Sequence, residues 1–325
     1  MQGQTLKPGP SSAFAPTLEF NPEYIKVQKI RSITFDIIDK KDFQVAEDKG
    51  LLNYYEFNAN GKLSRFYTTS VIKTIEKEYH SGAVYNRRHR KISNGHSYFK
   101  NEYLYDTVST VYMYDPTGNL RMKRYNDGTY YETRYYSYDA QNRLTKEKRF
   151  KETNNSDIKS NFILGNQILI SEDSFQYNDI STTQYKQICL NNENRPYKEI
   201  IVNKDSLGRV ISTNENYTVA WIVQNITYKY ENGLLISAEF KGNANGDLTL
   251  KNTYEYDAEK YIYTEKQYKN DVFMKEISYI TDSNTKALNS FIARDVNNKT
   301  MRIVKLFYSY FTVSPPDTSG LTPRK

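Results

Sequence analysis

Hydrophobic and polar positions alternate with a period of two through most of this chain, and the alternating runs break at short clusters of Asp, Asn and Gly. Val27 to Asp36, Asp271 to Ile280 and Met301 to Tyr310 read as strands of this kind. A period of 3.6 residues is hard to find. The least strand-like stretch, residues 281–298, reads as a loop with a short helical turn around Lys286 to Phe291. The pattern therefore predicts an almost all-β protein.

The runs also repeat. Tyr112-Met-Tyr114-Asp115-Pro-Thr-Gly118-Asn-Leu120 is matched by Tyr136-Ser-Tyr138-Asp139-Ala-Gln-Asn142-Arg-Leu144. Tyr228-Lys-Tyr230-Glu231-Asn-Gly233-Leu-Leu235, Tyr254-Glu-Tyr256-Asp257 and Tyr55-Glu-Phe57-Asn58-Ala-Asn-Gly61-Lys-Leu63 are further copies. Asp205-Ser-Leu-Gly208-Arg-Val210 and Ile188-Cys-Leu190-Asn191-Asn-Glu-Asn194-Arg-Pro196 are diverged ones. Between neighbouring copies the acidic positions 115 and 139, 205 and 231, and 231 and 257 lie 24 to 26 residues apart. Two strands of about 7–9 residues and two turns fill that period, so the unit is a β-hairpin. An aromatic-x-aromatic pair puts two rings on one face of a strand. Asp or Asn then opens the turn by accepting backbone N–H groups, and Gly or Asn three positions later supplies a left-handed residue. Asn58, Gly61, Asp115, Gly118, Asp139, Asn142, Asp205, Gly208, Glu231, Gly233 and Asp257 are thus read as structural turn residues. The same equivalence removes the repeated acids as catalytic or calcium-binding candidates.

Composition sharpens this picture. Hydrophobic residues make up only 38% of the 325, while Tyr contributes 31 and Phe 15. Tyr suits half-wet strands, so the sheet is expected to be exposed on at least one face rather than wrapped round a thick aliphatic core. The formal charge of +7 comes from 45 basic and 38 acidic residues spread along the chain. A nucleic-acid interface would instead show an extended basic stripe interleaved with aromatics, and no nucleic-acid partner is expected. The single cysteine, Cys189, allows no internal disulfide and sits between Ile188 and Leu190 as a small buried hydrophobe. No apolar run is long enough for a membrane-spanning helix. Residues 1–22 read as a flexible N-terminal segment without the regions of a signal peptide, as at the start of a processed, exported chain. Residues 314–325, rich in Pro, read as a flexible tail, which leaves 23–313 as a single β-repeat domain.

Candidate chemistry is sparse. Arg87, Arg88, Arg90 and Lys91 form the one dense basic cluster, an anion- or partner-docking loop or simply a solvated hairpin tip. His80, His89 and His96 flank or enter it, but their spacing matches no metal site, so no metal and no cofactor are expected. Tyr131, Tyr135 and Tyr136 are candidates for an exposed aromatic, partner-binding face. No nucleophile elbow, phosphate loop or dinucleotide fingerprint is present, and no catalytic residue is assigned.

The Tyr-x-Tyr-Asp-x-x-Gly/Asn-x-Leu hairpins resemble the YD repeat of the RHS family, in patches over about residues 50–265. That resemblance implies hairpins stacked into a curved sheet that carries or encloses other protein segments. In size and texture the chain is also similar to the periplasmic plug subunit of the type 9 secretion translocon, which occludes an outer-membrane barrel. The expected fold is an elongated, twisted, open antiparallel sheet of sequential hairpins, about residues 50–265, with irregular segments before Asn53 and after Lys269 as caps. The expected function is non-enzymatic: a periplasmic or envelope-associated protein that binds and plugs or braces a larger complex with an outer-membrane barrel. A glycan-binding or carbohydrate-active protein and a fragment of an RHS-type toxin carrier are the alternatives.

Overall fold

The structure, a computed structural model, describes residues 4–14, 18–80, 82, 84–85, 91–93, 97–126, 130–157, 162–244, 246–285 and 287–312. Among the described residues one short helix, α1 (Pro22–Val27), precedes twenty strands. They are β1 (Ile30–Lys41), β2 (Glu47–Phe57), β3 (Leu63–His80), β4 (Val84–Tyr85), β5 (Lys91–Ser93), β6 (Ser97–Tyr114) and β7 (Leu120–Asn126). There follow β8 (Tyr131–Tyr138), β9 (Leu144–Asn154), β10 (Leu164–Ser181), β11 (Gln184–Leu190), β12 (Pro196–Lys204), β13 (Val210–Tyr217) and β14 (Ile222–Glu231). The last are β15 (Leu234–Gly242), β16 (Leu248–Tyr256), β17 (Ile262–Lys269), β18 (Val272–Thr281), β19 (Leu288–Asp295) and β20 (Thr300–Tyr310).

Apart from the separate β4–β5 hairpin, each strand pairs antiparallel with the next, and β20 returns to pair with β1 from Ile30↔Tyr310 to Lys41↔Thr300. The 18-stranded sheet is a closed barrel. The expected open, elongated sheet is corrected here. Each hairpin adds the native twist, and over this many strands the sheet curls until its first and last members meet, which removes both edges along the seam. The segments expected to act as caps supply β1, β2 and β18–β20 instead. The expected helical turn near residues 286–291 is also corrected, because Leu288–Asp295 is β19, with Phe291 paired to Val304.

The registers keep one set of side chains on the outside all the way round. Asp36 faces Lys305 across the seam, Lys186 pairs with Ile201 and ion-pairs with Glu199, Glu239 pairs with Lys251, and Glu276 with Arg294. Glu172 takes Lys146 and Lys148, and Glu56 takes Arg31 and Arg65. A barrel that spans a bilayer carries an outward apolar band about 25 Å tall. This wall is mixed: Lys, Glu, Asn, Ser and Thr prevail on it, and Tyr54, Tyr67, Met113, Met122, Ile292 and Ile303 share the same face.

The main apolar set points inward. Ile33, Phe35 and Ile37 of β1, Tyr55 and Phe57 of β2, Tyr228, Leu235 and Ala238 of β14–β15, and Val304 and Leu306 of β20 are buried in one cluster. The N-terminal lead-in completes it. Leu6 and Ala13 are buried, Phe20 packs edge-on to Tyr55 and Phe57 at 4.8 and 5.1 Å, and α1 buries Tyr24 and Ile25. Asn21 caps α1 by accepting from the Tyr24 amide, and Pro22 sits where its missing N–H costs nothing. The lead-in is tied to the wall by the Ile262 amide donating to Gln4 Oε1 (2.7 Å), the Leu288 amide to Thr5 Oγ1 (3.2 Å) and Tyr228 Oη to the Pro10 carbonyl (3.3 Å). The described part of the segment expected to be flexible (1–22) thus lies packed inside the barrel, since its Leu, Phe and Ala cover apolar wall that water would otherwise touch. The tail 314–325 lies outside the described residues.

The rest of the inner wall is polar. Glu132, Arg134, Glu147 and Arg149 form a network across β8 and β9 (3.0 Å for Arg134–Glu147, 2.5 Å for Arg149–Glu132), and Lys198 meets Glu215 at 2.7 Å. The lumen is filled on the apolar side and wet on the other.

Candidate docking end

The barrel has two unlike ends. At one end lie the turns β2–β3, β6–β7, β8–β9, β12–β13, β14–β15 and β16–β17, and with them the turns of every repeat copy except the diverged Asn191–Asn194 turn, which joins β11 to β12 at the other end. The carboxylate or amide oxygen of Asn58, Asp139, Asp205 and Asp257 accepts from the amides two and four residues on, at 2.8–3.0 Å. Asp115 accepts from the Thr117 hydroxyl at 2.7 Å and the Asn119 amide at 2.8 Å, which in that order hold its carboxyl below the ordinary range. Gly61, Gly118, Asn142 and Gly208 take positive φ of 75°, 89°, 60° and 77°. Glu231 is the exception. It pairs directly with Leu234, and Asn232 and Gly233 make a two-residue turn with both φ positive, so Glu231 ends a strand and caps nothing.

The motif's second tyrosine has a role that spacing did not reveal. Tyr114, Tyr138, Tyr230 and Tyr256 donate their hydroxyls to the carbonyls of Leu63, Leu120, Val210 and Leu235, and Tyr177 and Tyr308, outside the repeat copies, do the same to Leu144 and Leu288. Each acceptor opens the return strand of the preceding hairpin. Arg143 and Arg209 stack on Tyr177 and Tyr230 at 4.7 and 4.6 Å while ion-pairing with Asp139 and Asp205. The hairpins β6–β7, β8–β9, β10–β11, β14–β15 and β16–β17, together with β20, are therefore each latched to the hairpin before, and most of this ring of turns is cross-braced. Burial pushes the Tyr114 and Tyr177 phenols up to about 12.

The other end is uneven. β3 and β6 are each 18 residues long. β2 pairs with β3 only as far as Thr68, and β7 pairs with β6 only from Ser109. Beyond those residues β3 and β6 pair with each other up to His80↔Ser97, as a two-stranded arm standing off the rim. Tyr103 donates to Glu47 and Tyr105 to the Lys49 carbonyl, which stitch its base to β2. Further out, Tyr79 stacks on Tyr98 at 5.6 Å and donates to Glu102, and Lys77 ion-pairs with the same carboxylate at 2.5 Å. Those contacts hold the Glu102 carboxyl below the ordinary range, Lys77 first. Ile72, Tyr98, Phe99 and Leu104 are about half exposed or more along the arm.

A second overhang stands at the same end. β10 pairs with β9 from Leu164 to Ser174, but with β11 only from Ser174 onward. The loop before it lays Phe162 on Tyr131 (4.7 Å) and on the Arg124 guanidinium (3.7 Å). Beneath it Glu152, fully buried, accepts from Arg124, Thr133, Tyr135 and Gln167 at 2.6–3.0 Å.

These positions decide the fate of the remaining candidates. Tyr131 and Tyr135 face outward, and Tyr135 is engaged with Glu152 and Phe150. Tyr136 faces the lumen, where burial pushes its phenol up to about 12. The three do not share a surface, because adjacent strand residues point to opposite faces. Arg87, Arg88 and Arg90 lie outside the described residues, and Lys91 opens β5, between the two strands of the arm. Cys189 is buried on the inner wall, where burial pushes its thiol up to about 11. Among the described residues no cluster of His, Cys, Asp or Glu could hold a metal, and no helix is long and apolar enough to cross a membrane. A cavity of about 590 Å³ lies between the N-terminal lead-in and the inner wall, lined by Phe14, Phe35, Tyr55, Tyr254, Ile277 and Phe291 among others.

No protein-family model matches the chain, and no curated protein matches it in sequence. Among solved structures it is similar to a porin-like protein from Bacteroides uniformis, with a TM-score of 0.36 and 11% identity, over 87% of this chain and 97% of that one. A porin-like protein from Bacteroides vulgatus gives 0.31 and 8% over 87% and 99%. The TcdB2-TccC3-Cdc42 structure gives 0.29 and 14% over 78% of this chain but only 12% of that one. Likeness this remote assigns no function, and the closed barrel rests on the chain's own strand pairing.

Proposed function

We propose that this protein is a non-catalytic binding protein of the cell envelope that holds a larger protein partner by the arm end of its barrel. The observation that carries this reading is the β3–β6 arm: it projects beyond the rim, is stitched at its base, and presents Ile72, Phe99 and Leu104 to water, where they stabilise nothing in the barrel itself. Apolar side chains held out on a stiffened support are what a docking surface requires. The mostly polar outer wall favours a barrel bathed in water rather than one embedded in lipid. The finer reading, in which the partner is an outer-membrane barrel such as that of the type 9 secretion translocon and this chain plugs or braces it, draws on the resemblance of size and texture.

The test compares the full chain with a variant in which residues 72–104 are replaced by Asn-Gly, joining the paired Val71 and Tyr105 directly. Tagged full-length protein is expected to recover one large membrane protein from native membranes, and the shortened variant, with unchanged circular dichroism, to lose it. Recovery by both variants, or by neither, would sink the proposal.

A further inference from the structure

We propose that the overhanging edge of β10 pairs antiparallel with the same edge of a second copy of this chain, forming a two-fold dimer through a continuous sheet. From Leu164 to Asp173 the main chain of β10 is paired on the β9 side only, and β11 stops at Leu190, opposite Ser174. The next lane of the sheet is therefore open above β11, and alternate N–H and C=O groups of this edge point into it. An open edge of this kind is a template for another strand.

The side chains say which strand. Phe162 to Ser171 holds no charged residue in a chain that is 26% charged. Ile168, Leu169 and Ile170 are 63%, 49% and 47% exposed, on both faces of the strand. The arm provides a comparison within the same molecule. Its open edges carry Lys73, Glu76 and Lys77 on β3, and Lys100, Glu102 and Asp106 on β6, the charges that discourage edge-to-edge pairing. β10 lacks that protection. Antiparallel self-pairing about Ile168 and Leu169 sets uncharged residues against uncharged residues from Asn166 to Ser171, and places Glu172 and Asp173 opposite Gly165 and Leu164 rather than opposite another acid. With about ten residues a side the interface is smaller than the standard size, so the pairing is reversible, with a dissociation constant on the order of micromolar.

Sedimentation velocity of the full chain over roughly 1–200 μM, which brackets an interface of this size, is expected to show mass rising from 38.1 kDa toward twice that value. Ile168→Lys/Ile170→Lys, at exposed positions that leave the barrel intact, is expected to raise the dissociation constant about tenfold or more. Ile72→Lys on the arm is expected to change nothing. Hydrogen exchange on the unmodified chain gives a readout that needs no variant: the amides of 164–173 gain protection as concentration rises. A chain monomeric throughout, a dimer indifferent to the double substitution, or a dimer without protection at 164–173 would each overturn the proposal.

Discussion

Tyr256→Phe is the sharpest probe of how the ring is held. The substitution keeps the phenyl packing and deletes one hydroxyl, which donates to the Leu235 carbonyl at 2.8 Å. Leu235 is 2% exposed, so water reaches its carbonyl poorly once the donor is gone. A typical net hydrogen bond contributes about 0.5–1.5 kcal/mol, and a buried acceptor left unpaired costs about 1–3 kcal/mol. The expected loss is therefore about 1–2 kcal/mol. Urea unfolding followed by far-ultraviolet circular dichroism reads it as a lower midpoint at unchanged slope. Tyr310→Phe is the control: its ring is 54% exposed, and its change should stay within about 0.5 kcal/mol. Tyr230→Phe, whose hydroxyl reaches the Val210 carbonyl at 3.0 Å, should behave like Tyr256→Phe. If both latch variants match the control, the hydroxyls are incidental and the ring is held by strand pairing and ring packing alone.

Gly208→Ala should cost about 1 kcal/mol from backbone strain alone, because Gly208 has φ of 77° and open space where a Cβ would stand; thermal melting checks this. Glu152→Ala should be far costlier, about 3 kcal/mol or more, since it strands Arg124, Thr133, Tyr135 and Gln167 around an empty site; a urea midpoint close to the parent's would refute the network's importance. The barrel should also unfold in alkali. Burial raises Tyr114, Tyr136, Tyr177 and Tyr228 from 10.0 to about 12, so each contributes stability that is complete below pH 10 and is lost as pH rises through 12. A pH titration of the melting temperature that stays flat from pH 9 to 12 would contradict this. Finally, Cys189, buried and with its thiol pushed up to about 11, should react with a thiol reagent at pH 8 only on denaturation.

Much of the barrel was legible in local chemistry. Asp139, Asn142 and Arg143 serve one turn within five residues, so the sequence alone exposes the hairpin and its period. Closure was not legible, because it depends on Ile30–Lys41 finding Thr300–Tyr310 across nearly the whole chain, and nothing local records that pairing. Glu231 departs from the motif's expectation because a one-residue shortening converts a capped turn into a two-residue one. The tyrosine latch was half visible: the second Tyr recurs, but its acceptor lies 18 to 51 residues earlier. The arm had one available signal: between Leu63 and Tyr112 the only turn dipeptides, Ser81-Gly82 and Asn94-Gly95, bracket the basic stretch near the middle of the interval. Tyr131, Tyr135 and Tyr136 were grouped by proximity in sequence, which in a strand separates side chains as often as it unites them.

The seam has a consequence for synthesis. The first strand waits for the last: Phe311 donates its amide to the Lys29 carbonyl at 2.8 Å, so the two halves of the join are synthesised far apart in time. Until residues 300–310 are made, every intermediate is an unfinished crescent with a raw flank at each side and the lead-in's Leu6, Phe20 and Ile25 only partly enclosed. A chain stopped even a dozen residues short of Tyr310 lacks the keystone of the arch. Such a product should be prone to aggregation out of proportion to the little that is missing, and a holding chaperone would be needed for as long as β20 has not yet been made.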